Sequence, residues 1–346
     1  MDLNKIFIKG ACPTKVGGQA VLEGIMMKGA DRTAVVVRKP SGKLHMRTEA
    51  LKKPLKIAKV PLIRGVFVFV DALVVGTRTL LYSASVLEEA EMEMEREQQE
   101  GQMEEGAEEQ KPDWLTRTFG EKGAFNVMLY VSVAISIVFT VGIFIIGPTF
   151  IMGLVEKLTR NEILLNLIEG VLRIALFVIY VLAISRMKDI RNVFQYHGAE
   201  HACIHCFENG LPLTVENCKQ FGTLHPRCGT SFLMFVMVIS LLLFSLLGWP
   251  GLFWRITSRL LLVPVIAGIS FELLRWAGSS VSPVVKILSL PGLALQQLTT
   301  IKPEERHLEV AITAMRAVLT SGETPQFEGE LEWTAEEEEE EALPCC

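Results

Sequence analysis

Four stretches of this chain are almost wholly apolar, each near the length a helix needs to cross a lipid bilayer. They are Asn126 to Leu154, Ile163 to Ile184, Ser231 to Trp249 and Leu260 to Trp276. A spanning helix takes about 20 such residues. A soluble core would not gather its apolar side chains this way, and at 50% hydrophobic the chain exceeds ordinary soluble composition. The expected fold class is a mainly α, polytopic membrane protein with about four transmembrane helices. Interfacial or re-entrant helices and a small N-terminal β-containing cap accompany them. No signal peptide is visible, because the first apolar run comes late and the N-terminal residues are mixed.

The net charge of -5 conceals a segregation. Residues 1–64 hold 14 Lys/Arg against 4 Asp/Glu, whereas residues 88–113 hold 12 Asp/Glu against 2 Lys/Arg. Basic residues near helix ends set orientation. Arg117 and Lys122 precede the first span, Arg186, Lys188 and Arg191 follow the second, and Arg275 and Lys286 lie at and after the fourth. This pattern puts both termini in the cytoplasm, together with the loop between the second and third spans. Membrane lipids are expected partners, and the basic N-terminal cap suits a protein partner. A homo-oligomer is compatible with the sequence; no nucleic-acid partner is expected.

The chain divides by composition. Residues 1–54 read as a soluble cap with a β-hairpin, Thr33 to Arg38 and Lys43 to Glu49 around the turn Pro40-Ser41-Gly42. Residues 55–87 carry Arg64, Asp71 and Arg78 at intervals of seven, one helical face. Charge in lipid is costly, so an interfacial or re-entrant helix is expected. Residues 88–122 read as an acidic disordered linker. Residues 123–300 form the four-helix membrane domain, with a His/Cys loop at 186–230. Val284 to Leu298, broken by Pro291-Gly292, reads as re-entrant or surface-lying. A C-terminal helix over 301–320 has Ala311, Met315 and Leu319 on one face. An acidic disordered tail covers 321–346.

The chemistry gathers in that His/Cys loop. Four of the six histidines and four of the seven cysteines lie between His197 and Cys228. His197-Gly198-Ala199-Glu200-His201 has the spacing of the inverted zinc-protease motif. Histidines four apart share a helical face and can bind one ion. Glu200, beside them, is the candidate general base, taking a proton from water. His225, Cys228 or Glu272 completes the ligand set, with a divalent metal, zinc by preference, as cofactor. Cys203-x-x-Cys206 and His205 rank lower, since side chains so placed on one helix cannot all aim at one ion. Thr230 and Ser231 are expected to cap the third span. Arg227 suits either an anionic group or the charge rule. The cysteines would face a reducing compartment, which favours thiols or ligation over disulfides.

These same residues resemble a known family, the YqhQ-like bacterial membrane proteins. The stretches that carry the resemblance are Gly18-Gln19-Ala20-Val21-Leu22-Glu23-Gly24-Ile25-Met26-Met27, Tyr196 to His201, Leu213 to Asn217 and His225 to Phe232. Phe271-Glu272, Pro291-Gly292 and Gln297 to Thr300 also fit. The resemblance implies a multi-pass protein of the bacterial inner membrane and supplies no reaction. A loop of Gly18, Gly24 and Met26-Met27 is expected to cover the His197 site, with Glu23 near it.

Three functions are compatible with these residues. The first is a metal-dependent hydrolase acting on a peptide or lipid-linked substrate. The second is a metal-stabilised membrane scaffold or regulator without catalysis. The third is a transporter or channel using Asp71, Glu169, Arg173 and Glu272, although the two pairs of spans show no internal repeat.

Overall fold

The computed structural model describes residues 6–7, 14, 16–51, 60–102, 114–249, 251–280, 282–319 and 327–333. Strands β1 (Gly17–Val21), β2 (Gly24–Lys28), β3 (Arg32–Arg38), β4 (Leu44–Ala50) and β5 (Glu328–Leu331) form one antiparallel sheet in that order. The helices are α1 (Ile63–Gln102), α2 (Trp114–Val141), α3 (Gly147–Val155), α4 (Glu162–Ile184) and α5 (Lys188–Glu208). They continue with α6 (Val215–Cys218), α7 (Gly229–Ser245), α8 (Leu252–Ser279), α9 (Pro283–Thr299) and α10 (Glu305–Leu319). The chain is thus mainly helical, with a small sheet built largely from its N-terminal region.

Strand periodicity makes one sheet face apolar. Ile25 and Met27 of β2, Ala34 and Val36 of β3 and Leu44 of β4 bury their side chains against α5 and α10. Ala199, Ala202 and Cys203 let α5 approach closely, while Leu308, Ile312 and Met315 fill the space from α10. Each fully buried Ile or Leu contributes about 1.5–3 kcal/mol. The expected hairpin is present as β3 and β4, extended by β1, β2 and β5. The C-terminal stretch is not wholly irregular: Glu328 pairs with Arg47 and Leu331 with Leu44.

Among the described residues, four helices are long and apolar enough to cross a membrane: Ile63–Glu97, Tyr130–Val155, Glu162–Ile184 and Phe253–Ser279. Three coincide with expected spans. The expected third span forms α7, which at 17 residues is short for the task and packs among α4, α8 and α9. In its place α1 meets the criterion, and it continues to Gln102. Acidic residues 88–102 are therefore helical rather than an irregular linker, while residues 103–113 lie outside the described ones. The segment read as broken at Pro291-Gly292 is one helix, α9. Gly292 is required there because a Cβ would stand 2.6 Å from Ser231 Oγ.

The three α1 charges at intervals of seven are each paired with another element. Arg64 holds Glu272 of α8. Asp71 pairs with Lys28 of β2 at 2.5 Å, and Arg78 with Glu49 of β4 at 3.4 Å. Gly65 lies on α8, where a Cβ would come within 2.8 Å of Gly268 Cα. Helix α1 thereby joins the apolar bundle to the sheet.

Candidate metal centre

Helix α5 carries His197, Glu200, His201 and His205 into the interior. Residues four apart lie one turn above each other, and the His197 and His201 rings have centroids 4.5 Å apart. The chain returns to them through His225 to Cys228. Cys228 is the N-cap of α7, its Sγ receiving the Thr230 N–H at 3.4 Å. This corrects the expected capping role of Thr230 and Ser231. Ser231 Oγ instead receives Gln296 Nε2 at 2.8 Å. Gln296 also brackets His225, donating to its carbonyl and accepting its N–H at 2.8 Å each. That clamp from α9 fixes the loop that presents Cys228.

The tautomers follow from backbone carbonyls. His197 Nδ1 lies 2.8 Å from Thr299 O, and His201 Nδ1 lies 2.5 Å from Thr223 O. A carbonyl oxygen only accepts, so both Nδ1 atoms carry the proton and donate it. Each ring then turns its Nε2 inward. His197 Nε2 is 3.1 Å from Cys228 Sγ, and one donor atom from each of His197, His201 and Cys228 lies within 4.8 Å of the others. Ring N–H groups tied to carbonyls are the usual outer support of metal-binding histidines.

Glu200 is 95% buried beside this trio, since 5% of its surface is exposed. It accepts the Gly18 N–H, while its Oε2 is buried and has no hydrogen-bond partner among the described residues. Burial pushes Glu200 above the usual carboxylate range against the pull of His197 and His201. Burial acts to raise Cys228 as well, yet the charges of His197 and His201 hold it well below the ordinary thiol range. For His197 burial opposes the charge, but Cys228 outweighs it and moves the imidazole up to about 9.

Of the other sequence candidates, Glu272 is elsewhere: Arg64 and the Leu62 N–H occupy its carboxylate. Arginine on α1 outcompeted the loop for that charge. His225 stands behind the trio, its ring 5.6 Å from His201. Its Nδ1 accepts the Arg227 N–H and its Nε2 faces Glu208 at 3.6 Å. His205 Nε2 donates to Leu224 O, 2.9 Å away, and so bears the proton. Burial lowers His205 and His225 to about 3, leaving both neutral. Arg227 pairs with Glu208 and donates to Thr14 O. Cys203 and Cys206 turn to the apolar core and Cys218.

The N-terminal motif reaches α5 as expected. Gly18 lies on Glu200, where a Cβ would stand 2.9 Å from Cδ. Glu23 bonds Asn192 and Tyr196 OH, from a backbone φ of 47° that disfavours side chains. Gly198, a weak helix former, is explained by Ile301: a Cβ would fall 2.0 Å from its carbonyl oxygen. Gly198→Ala is expected to destabilise the fold by ~3 kcal/mol, the upper end for overpacking. Thermal unfolding measures this, and an unchanged melting temperature would contradict the contact.

Apolar helices of membrane-crossing length, joined to a sheet over a largely buried His-His-Cys cluster, define the class of protein. The chain belongs to the family described as protein of unknown function DUF1385, whose model matches residues 60–321. It is 32% identical over 319 residues to "Uncharacterized protein YqhQ" of Bacillus subtilis (strain 168), covering 90% of this chain and 94% of that one. The motif resemblance is thereby borne out. No solved structure matches the chain.

Proposed function

We propose that the protein is a membrane-embedded, zinc-dependent hydrolase of the bacterial inner membrane, acting on a peptide or lipid-linked substrate at the cytoplasmic face. One observation carries this reading: two imidazoles with Nδ1 tied to carbonyls converge on Cys228 Sγ beside the unpartnered Oε2 of Glu200. Two nitrogens and a thiolate suit zinc, and three protein ligands leave a fourth position for a reactant. Zinc held there would supply Lewis acidity that brings the ionisation of water to ~7. Glu200 takes the proton at its free oxygen and later returns it to the leaving group. Gly18 N–H keeps the carboxylate in position, and the enclosing sheet excludes bulk water.

The topology supports this placement. Strands from the N-terminal region and Glu328–Leu331 share one sheet, so these described segments lie on the side of the candidate centre. The basic cap remains the proposed docking surface for a protein partner.

Metal analysis of purified protein tests the ligand set. His197→Ala is expected to lose zinc, whereas His225→Ala and Glu272→Gln are expected to retain it. Retention in His197→Ala would sink the model. A second reading, a metal-stabilised scaffold, is favoured by the burial of His201 to 1% and Cys228 to 7% exposure. A fourth protein ligand with no open position would support it. The transporter reading loses ground, because Asp71, Glu169 and Glu272 are engaged in separate ion pairs.

A further inference from the structure

The end of α7 remote from Cys228 borders a second polar cluster, set among apolar residues. A cavity of about 70 Å³ opens there between α4, α7 and α8. Glu169 of α4, whose side chain is only 4% exposed, is its sole carboxylate. Arg259 of α8 grips both oxygens of Glu169 at 2.5 and 2.6 Å and reaches Asn166 Oδ1 at 3.1 Å. Arg173 adds a bond to Oε1 at 2.6 Å, while its Nε is buried without a partner among the described residues. Guanidinium groups do not deprotonate in proteins. Two cations therefore share one anion, and Arg259 already occupies both carboxylate oxygens.

An excess charge in apolar surroundings calls for a counter-ion. The position tells which kind. Glu169 lies seven residues into α4, about 10 Å from its start. Beyond it, Arg255 lies over the Trp249 ring at 4.2 Å, and Trp254 is exposed. Aromatic rings with a polar edge gather at lipid headgroup depth, and long arginine side chains reach toward that level. The planar guanidinium fork matches phosphate oxygens.

We propose that this cavity binds a phosphate group, that of an anionic phospholipid in the leaflet opposite the His-His-Cys centre, with Arg173 as its principal donor. The proposal rests on the membrane placement above and not on the metal. The test is lipid binding to the purified full-length protein in detergent, read by native mass spectrometry. Phosphatidylglycerol is expected to be retained at least tenfold over phosphatidylcholine. Arg173→Gln should abolish that preference while metal content stays at the wild-type level, and Arg173→Lys should keep part of it. Inorganic phosphate that binds in the wild type and not in Arg173→Gln would support the site with free phosphate as its ligand. Equal retention of the two lipids by the wild type, or a preference unchanged in Arg173→Gln, would overturn the proposal. The wild-type comparison decides the matter even if Arg173→Gln fails to fold.

Discussion

Replacing Cys228 with serine is expected to weaken zinc binding by more than ~100-fold, because loss of a direct ligand exceeds the 10–100-fold controlled by outer partners. The substitution is chosen to spare the fold. A serine oxygen can still accept the Thr230 N–H and cap α7, and its smaller side chain fits the same space. What it removes is the anion. A hydroxyl does not ionise near neutral pH, so His197 Nε2, now 3.1 Å from sulfur, would face a neutral group. Titration of the metal-free protein with zinc gives the affinity, and circular dichroism checks the helices. Wild-type affinity in Cys228→Ser would remove the thiolate from the centre and require another ligand.

Glu200→Gln is the complementary change. It should leave zinc content intact and lower turnover by about 10²–10⁴-fold, the range for a general acid–base group. Glutamine has the same shape and keeps an oxygen for the Gly18 N–H, so the packing against β1 is preserved. It cannot take up a proton at the oxygen that is unpartnered in Glu200. The comparison uses any peptide or lipid-linked substrate that the wild type cleaves in reconstituted membranes. Full activity in the variant would leave the metal in place and end the catalytic reading, favouring the scaffold.

Periodicity and spacing made much of this legible. The i,i+4 histidines and the neighbouring Glu200 are local features of one helix, and local geometry can be read from spacing alone. The choice among His225, Cys228 and Glu272 was not local. It depended on Gln296 holding the loop and on Arg64 reaching Glu272 from more than two hundred residues away. The supports of the histidines were hidden for a different reason: Thr223 and Thr299 act through backbone carbonyls, which any residue possesses. In the bundle, counting apolar residues overvalued α7 and undervalued α1. The charges that argued against α1 as a span are neutralised by β2, β4 and α8.

The fifth strand makes completion of the sheet a late event in the life of the chain. A ribosome that has passed Ala50 has supplied four of the described strands, but the partner of β4 is still some 280 residues from synthesis. During that interval β4 is an open edge, a template on which another chain could pair. Its own sequence guards it, since His45, Arg47 and Glu49 interrupt the apolar pattern with charge and polarity. Thr299 likewise emerges long after His197. The candidate centre is therefore unfinished during synthesis, and if the proposed zinc binds there, the polypeptide itself would set the moment at which loading could begin.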